Sequence, residues 1–378
     1  MEWLFWAALL FVAYTYAGYP LAIQWLARWR PAREQPWNPG DDESRWPELT
    51  VVIAAHNEQD RVLAKVENLR ALDYPAGRKH ILFVSDGSTD LTNERLGAQP
   101  DVTLVVCPQR RGKPHALNEA LQRVQTPVVV FADVRQMIDV QALRHLVRRL
   151  MQPGIGAVSG ELVHVQPGSR TAANIGLYWR YEKWIRKAEA RFASTVGATG
   201  ALYAMRREHY TPLADDTILD DFEQPMLVAR QGLRVVFESN AVMTDELQAE
   251  MAGERKRKIR TLTGNFQSFA RHPWMFSPVT NPLWLQFLSH KVFRLLVPYA
   301  LALLLIAPLF CDGAFYRLFL AAQLLFYAAA WWGSRSTTAR RSRLVAFAGV
   351  FVEMNWAAVL AMRTWLAGGV NARWEKTS

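Results

Sequence analysis

Carboxylates end two apolar runs in the first half of the chain. Asp86 closes HILFVSD and opens Asp-Gly-Ser-Thr-Asp, and Asp133 closes PVVVFAD. Asp86 can accept N–H donors from a nucleobase, although the same residues also suit an ordinary strand-to-helix turn. Asp133 is a suitable ligand for a hard divalent ion, Mg²⁺ or Mn²⁺, that would bridge diphosphate oxygens.

A cluster of cations lies between these two carboxylates. Arg110-Arg111-Gly112-Lys113 comes directly before a predicted helix that contains Asn118. Positive charges at the start of a helix oppose its dipole, so they contribute little to stability there. A phosphate group as partner would explain them, and a solvated basic turn is the alternative.

Strand-like and helix-like segments alternate from Leu49 onward. Continuous apolar runs at 49–55, 80–86, 102–107 and 127–133 alternate with helical patterns at about 58–72, 90–96, 113–124 and 139–151. This alternation predicts a parallel α/β sheet with right-handed crossovers. Ligands bind beyond the carboxyl ends of such strands, where His56-Asn57-Glu58, Asp86 and Asp133 would converge.

Long apolar segments flank this predicted domain. Residues 3–26 carry no charge and exceed the roughly 20 residues that a membrane crossing needs, so we expect a retained signal anchor with Met1 outside. Three further candidate spans are 291–310, 315–333 and 345–366. The expected boundaries are therefore 1–30 for the anchor, 45–265 for the soluble domain, 266–290 for an interfacial segment, 291–367 for three membrane helices and 368–378 for a tail.

The net charge of +10 is concentrated beside the apolar segments. Arginines at 28–33, a basic run at 255–260 and arginines at 335–343 adjoin candidate spans, which is the pattern of cytoplasmic loops. This placement and an anionic substrate explain the charge, and no nucleic-acid motif is present. We expect an integral membrane protein, of a bacterial inner membrane, whose soluble domain is cytoplasmic. Two cysteines give neither a metal-binding spacing nor a disulfide framework.

Two apolar segments leave alternatives open. The last candidate span carries Glu353 and Asn355 near its middle, and such groups usually face a protein interior or a wet cavity. A helix packed against its neighbours with Glu353 paired or protonated, a helix lining a route for acceptor or product, and a re-entrant or interfacial helix all fit. The aromatic stretch 266–290 fits either an interfacial segment or a linker with a few anchors.

Seven motifs in order give the chain a resemblance to a known family. They are AAHNE (54–58), VSDGSTD (84–90), RRGKPHALN (110–118), FADVRQ (131–136), GATGALYAMRR (197–207), ILDDF (218–222) and RKRKIRTLTGN (255–265). Over about residues 45–270 the chain resembles membrane-bound family 2 inverting glycosyltransferases. These have the GT-A fold, a Rossmann-like and mostly parallel sheet, and include hyaluronan, chitin-oligosaccharide and poly-N-acetylglucosamine synthases.

The resemblance implies roles for individual residues. Nucleotide-sugar binding would involve Asn57, Glu58, Asp86, Lys113, Arg257 and Arg260, with Asp86 facing the base and Arg260 on the diphosphate. Asp133 would hold the divalent metal as the first member of an Asp-x-Asp motif. In the pair Asp220-Asp221, Asp221 would be the general base, a role that suits a carboxylate in an inverting displacement.

Two motifs depart from the family pattern. Arg135 replaces the second Asp of Asp-x-Asp, and Thr261 replaces the Trp that relatives associate with the acceptor site. These changes argue against an obligatory polymer product. Gly200 and the aromatics Trp179 and Trp184 could form the acceptor platform instead, although their spacing equally suits an interfacial or core helix.

The leading functional hypothesis is sugar transfer from a nucleotide-diphosphate sugar, with UDP-sugars favoured, onto an acceptor hydroxyl in exopolysaccharide or cell-surface glycan synthesis. The alternatives are single-sugar transfer to a polyprenyl-linked acceptor and a catalytically silent membrane subunit. The expected partners are the donor, a glycan or lipid-linked acceptor and the bilayer. A polymer product would call for a homo-oligomer or polysaccharide-export partners, because four spans form a thin conduit.

Overall fold

The computed structural model describes residues 1–30, 37–40, 42–165, 170–246, 251–336 and 338–369. Side chains at 164–179, 246–254 and 340 lie outside this description. The predicted tail, apart from residues 368 and 369, also falls outside the described residues.

Helices and strands occur in the predicted alternation. The helices are α1 (Glu2–Ala13), α2 (Tyr19–Trp29), α3 (Val62–Arg70), α4 (Thr92–Gly97), α5 (Lys113–Arg123), α6 (Ala142–Leu150), α7 (Arg170–Phe192), α8 (Asp220–Arg230), α9 (Met251–Arg271), α10 (Trp284–Gln286), α11 (Phe293–Ile306), α12 (Ala314–Arg335) and α13 (Arg343–Leu366). The strands are β1 (Leu49–Ala55), β2 (Lys79–Asp86), β3 (Val102–Cys107), β4 (Val128–Ala132), β5 (Met137–Ile138), β6 (Ile155–Val165), β7 (Leu202–Arg206) and β8 (Arg234–Glu246). π-Helical segments connect α1 to α2 (Tyr14–Gly18) and α10 to α11 (Phe287–Val292).

The eight strands form one mixed sheet in the order β3-β2-β1-β4-β7-β6-β8-β5. Strands β1 to β4 pair in parallel, which confirms the expected arrangement for the first half of the domain. Strand β7 runs antiparallel to β4 and β6, so the second half departs from a purely parallel sheet. Apolar cores cover both faces of the sheet. Because neither face meets water, the apolar runs of β1 and β4 are almost wholly buried.

Four helical segments are long and apolar enough to cross a membrane: Glu2–Trp29, Trp284–Phe310, Ala314–Arg335 and Arg343–Leu366. The second begins earlier than the predicted 291, because residues 284–292 continue as helix into α11. Phe287 and His290, in the stretch expected as an interface or linker, are buried. Helix α9 runs across the boundary predicted at 265, and its last turn contacts the sheet domain.

Candidate functional site

Strands β1, β2 and β4 deliver three of the predicted site groups to one edge of the sheet. Asn57 and Glu58 follow β1, Asp86 ends β2 and Asp133 follows β4. The three strands are parallel neighbours, so their carboxyl ends lie side by side. The edge predicted from the alternation of strands and helices is therefore present.

Asp86 is fully buried and organises the turn before α5. Its two carboxylate oxygens accept the backbone N–H groups of Arg111 at 2.7 Å and Gly112 at 2.8 Å. The neighbouring Gly87 has φ +61°, and a Cβ there would lie 2.5 Å from the backbone nitrogen of Arg110. Only glycine permits this close approach, so the Asp-Gly pair fixes the basic turn against the end of β2.

Asn57 ties the loop after β1 to the loop after β2. It adopts φ 54°, a left-handed conformation that Asn tolerates, and its Oδ1 accepts the backbone N–H of Thr89 at 2.7 Å. The backbone N–H of Glu58 donates to Thr92 Oγ1 at 2.8 Å, and its carboxylate pairs with Arg61 at 3.2 Å. Both residues thus help to join the loops that follow β1 and β2 at this edge of the sheet.

Lys113, the first residue of α5, joins carboxylates from two distant stretches. Its Nζ lies 3.0 Å from Asp133 Oδ1 and 3.3 Å from Asp220 Oδ2. Burial lowers the pKa of Lys113, but Asp133, Asp220 and Asp221 together outweigh it and raise the pKa above its usual range. The ammonium therefore carries its charge at the centre of the site.

Asp220 and Asp221 open helix α8, where negative charge is favoured by the helix dipole. Burial and the neighbouring Asp220 raise the pKa of Asp221 to about 6, against the opposing effects of Lys113 and Lys291. Gly200 lies directly against this carboxylate, since a Cβ there would be 2.6 Å from Asp221 Oδ2. A carboxylate with such a pKa is ionised at neutral pH and is a stronger base than an exposed one.

The Asp-x-Asp motif offers a divalent metal one carboxylate instead of two. Asp133 is two-fifths exposed and accepts from Lys113, whereas Arg135, at the second Asp-x-Asp position, pairs with the buried Asp245. Among the described residues no group of three His, Cys, Asp or Glu side chains could hold a metal ion. The site thus fits a cation whose remaining ligands come from a bound diphosphate and water.

The predicted cations Arg257 and Arg260 lie on α9. Arg257 is exposed, and Arg260 follows it by one turn on the same helix. No described hydrogen bond or ion pair joins Arg257 to Lys113 or to the carboxylates around it. The hydroxyl of Thr261 donates back to the carbonyl of Arg257 at 3.0 Å.

The predicted acceptor residues lie in two places: Gly200 is beside Asp221, and Trp179 and Trp184 belong to α7. Gly200 lies against the carboxylate of Asp221. Trp184 on α7 is two-fifths exposed, and its carbonyl accepts Gln24 Nε2 of α2 at 2.7 Å. Helix α7 therefore lies along the N-terminal apolar segment. The side chain of Trp179 lies outside the described residues.

A buried polar network near the site is not apparent from the sequence. His290 Nε2 lies 3.0 Å from Glu182 and its Nδ1 lies 2.8 Å from Glu189, while Tyr19 donates to Glu189 at 2.6 Å and Arg294 pairs with Glu182. Burial raises the pKa of Glu182, but Arg294 and His290 outweigh it and hold the pKa well below its usual range. Isolated charges at the edges of apolar runs are the only sequence signal of this network.

Known proteins share both the sequence pattern and the fold. Residues 50–211 match the model of "Glycosyl transferase family 2". Two curated N-acetylglucosaminyltransferases, from Rhizobium sp. (strain N33) and Azorhizobium caulinodans (strain ORS 571), are 26% identical over 248 residues and 24% identical over 246 residues. Each match covers 59% of this chain but only 53% and 61% of the relatives' own lengths.

A mannosyltransferase from Pyrobaculum calidifontis, solved with GDP-Man and Mn²⁺, superposes with a TM-score of 0.70 at 24% identity and covers 96% of this chain and 99% of its own. That likeness concerns the fold, including the long apolar helices. The matched motifs, the strand order and this superposition agree. The sheet domain has the GT-A fold, and its segment 50–211 belongs to glycosyltransferase family 2.

Proposed function

We propose that this chain transfers a sugar, with inversion, from a nucleotide-diphosphate sugar to an acceptor hydroxyl. The observation that carries this is the cluster at the sheet edge, in which Lys113 joins Asp133 to Asp220 beside the ionised Asp221. Asp221 can accept a proton, and Lys113 can balance the negative charge of a diphosphate.

In this reaction the acceptor oxygen bonds to the anomeric carbon while the bond from that carbon to the diphosphate oxygen breaks. Asp221 accepts the proton of the attacking hydroxyl, and the departing nucleoside diphosphate takes the electron pair. Lys113 balances the charge that develops on the leaving group, and Asn57, Glu58 and Asp86 bound the nucleoside pocket. A divalent ion held by Asp133 and the donor would supply further charge neutralisation.

The donor is best sought among UDP-sugars, because the similar curated proteins are N-acetylglucosaminyltransferases. GDP-mannose belongs in the same panel, since the structurally similar mannosyltransferase was solved with it. Arg257 and Arg260 remain candidates for binding the diphosphate.

Single addition to a lipid-linked acceptor is the second candidate, ahead of a secreted polymer. Thr261, in place of the relatives' Trp, turns its hydroxyl back onto its own helix at Arg257 and presents no flat surface to a sugar ring. A glycan-stacking platform would then depend on Trp184 and Trp179 alone.

The catalytic domain is proposed to face the cytoplasm, with α1–α2, α11 and α12 crossing the membrane and α13 lying on the cytoplasmic side. The second half of α13 runs along α9: Glu353 pairs with Arg255 at 3.2 Å, and Trp365 stacks on Phe266 at 6.0 Å. The last turn of α9 in turn binds the sheet domain, through Arg271 to Asp216 at 2.6 Å. The carboxyl end of α13 thus lies near the sheet domain.

Cysteine accessibility tests this topology. In a variant with Cys107→Ser and Cys311→Ser, single cysteines at Asp312, Thr338 and Ala367 are exposed to an impermeant maleimide on spheroplasts of a bacterial host. Asp312→Cys should react on intact spheroplasts, and the other two only after permeabilisation. Labelling of Ala367→Cys on intact spheroplasts would show that α13 crosses the membrane.

Purified protein in detergent, incubated with a panel of nucleotide sugars and Mn²⁺, tests the activity by release of nucleoside diphosphate. Turnover with one donor, abolished by Asp221→Asn, is expected, and sizing the product then separates a polymer from a single addition. No turnover with any donor, and no difference between the parent and Asp221→Asn, would favour a catalytically silent membrane subunit.

A further inference from the structure

Two cations lie close to Asp221 without a carboxylate partner among the described residues. Lys291 makes no hydrogen bond or ion pair there, and its Nζ lies 5.4 Å from the ring centroid of Phe222. Arg186 donates from Nη1 to the neutral hydroxyl of Thr199 at 3.2 Å. Both side chains are partly buried. Cations withdrawn from water in this way usually have an anionic partner.

Both cations contact a residue that is next in the chain either to Asp221 or to Gly200, which lies against the Asp221 carboxylate. Phe222, under Lys291, follows Asp221 directly, and Thr199, bound by Arg186, precedes Gly200, which abuts the Asp221 carboxylate. Arg186 belongs to α7, and Lys291 belongs to the start of the apolar segment Trp284–Phe310.

The buried carboxylates of α7 are already occupied. Glu182 pairs with Arg294 and His290, and Glu189 accepts from His290 and Tyr19. The π-helical segment Phe287–Val292 directs His290 to these carboxylates and the next residue, Lys291, to Phe222. Such π segments are frequent at functional sites, where the extra residue in a turn redirects side chains.

The reaction geometry assigns this positive charge to the acceptor. In an in-line displacement the attacking hydroxyl and the leaving diphosphate lie on opposite sides of the anomeric carbon, and the base lies with the hydroxyl. Lys113 and Asp133 are the proposed partners of the diphosphate and its metal, so the cations beside Asp221 that do not contact this pair are assigned to the acceptor. Lys291 also belongs to an apolar helical segment, which places this side at the lipid boundary.

We propose that Arg186 and Lys291 form an acceptor subsite that binds a phosphate group, carried by a lipid whose chain extends into the bilayer. This inference rests on the proposed sugar transfer and specifies its acceptor. A phosphate group would accept charge-assisted hydrogen bonds from the ammonium and the guanidinium, and neither cation has such a hydrogen-bonded anion among the described residues.

Equilibrium binding to the full-length protein in nanodiscs of zwitterionic lipid tests the subsite without requiring turnover. Farnesyl phosphate should bind about a hundredfold more tightly than farnesol, since the two cations each supply a charge-assisted hydrogen bond worth about tenfold. Lys291→Gln and Arg186→Gln should each reduce this preference about tenfold and leave nucleoside diphosphate binding unchanged. The matched control is Lys187→Gln, because Lys187 is exposed on the same helix.

Inorganic phosphate in competition identifies the source of the phosphate. Weak competition, with farnesyl phosphate at least tenfold tighter than inorganic phosphate, supports a lipid-borne group; equal affinities would overturn the lipid assignment. Equal binding of farnesyl phosphate and farnesol by the parent protein would overturn the subsite itself. Unchanged phosphate binding in Lys291→Gln and Arg186→Gln, with a displaced pH–rate profile, would instead assign both cations to tuning Asp221.

Failure of the proposed sugar transfer and failure of the phosphate subsite give different results. Absence of donor turnover with intact preference for farnesyl phosphate would refute sugar transfer but retain a phosphate site. Turnover onto neutral acceptors only, with no such preference, would retain sugar transfer and refute the subsite.

Discussion

Asp221→Asn should abolish activity and at the same time stabilise the protein. Burial and Asp220 raise the pKa of Asp221 from 3.8 to about 6, and this net shift already includes the attraction of Lys113 and Lys291. A rise of about two units means that the ionised carboxylate costs the folded state about 3 kcal/mol at neutral pH. An amide of the same shape removes this cost.

The sign of the pH dependence follows from the raised pKa. Between about pH 4 and pH 6 the folded protein holds the proton of Asp221 more tightly than the unfolded chain does, so stability falls as pH rises through this window. Above about pH 6 the full cost is present, and below about pH 4 both states are protonated. The stabilisation by Asp221→Asn should therefore be full at pH 7.5 and disappear near pH 4.

The measurement is thermal unfolding of the purified protein in detergent across this pH range. A stabilisation of about 3 kcal/mol corresponds to an increase of at least about 5 °C in Tm for a domain of this size. Asp60→Asn, at an exposed position, is the matched control and should leave Tm unchanged. A lower Tm for Asp221→Asn at pH 7.5, or a difference that does not shrink towards pH 4, would refute the electrostatic account of this carboxylate.

Three further predictions concern the same edge of the sheet. Calorimetry should detect Mn²⁺ binding only in the presence of a nucleoside diphosphate, and Asp133→Asn should abolish it, because Asp133 is the one carboxylate left at the Asp-x-Asp motif and no group of three ligands exists among the described residues. Tight Mn²⁺ binding to the protein alone would contradict this. Gly200→Ala should lower kcat about tenfold or more with little change in nucleotide affinity, because the new Cβ would displace the carboxylate of Asp221. An unchanged kcat would show that Asp221 does not need its present position. Arg135→Ala should destabilise the protein by about 2–4 kcal/mol in denaturant unfolding, since it leaves the buried Asp245 without its ion pair, and adding Asp245→Asn should restore much of the loss. Additive losses of stability in the double variant would contradict the pairing.

The sequence predicted the first half of the fold well because the signals there are local. The runs LTVVIAA and PVVVFAD are β-branched and almost wholly buried, so their composition alone predicts central parallel strands. The carboxyl ends of these two strands and of β2 then place Asn57, Asp133 and Asp86 at one edge by topology. Strands β6, β7 and β8, among which β7 runs antiparallel to β6 and β8 runs parallel to it, were not predicted. Their pairing depends on partners about 44 to 81 residues away along the chain.

The functional pairs were harder to predict than the functional residues. Lys113 and Asp220 were both candidates, yet their ion pair depends on how α5 and α8 pack against the sheet. The network of Glu182, Glu189 and His290 joins residues about 100 apart, and each of them alone looks like an ordinary charge at the edge of a helix. Sequence motifs identify which residue types do chemistry, whereas their charge balance is a property of the folded molecule.

Arg135 shows how a departure from a family motif can be read from its partner. The side chain that replaces the second carboxylate of Asp-x-Asp is held by Asp245, which is 4% exposed and also accepts from Gln136 Nε2 at 3.1 Å. A carboxylate at position 135 would face this buried acid and repel it, so the Arg and Asp245 form one unit. Under the proposed sugar transfer, a metal held by Asp133 would therefore need the donor's diphosphate to complete its ligands. Metal and donor should then bind together, with each raising the affinity of the other by the same factor.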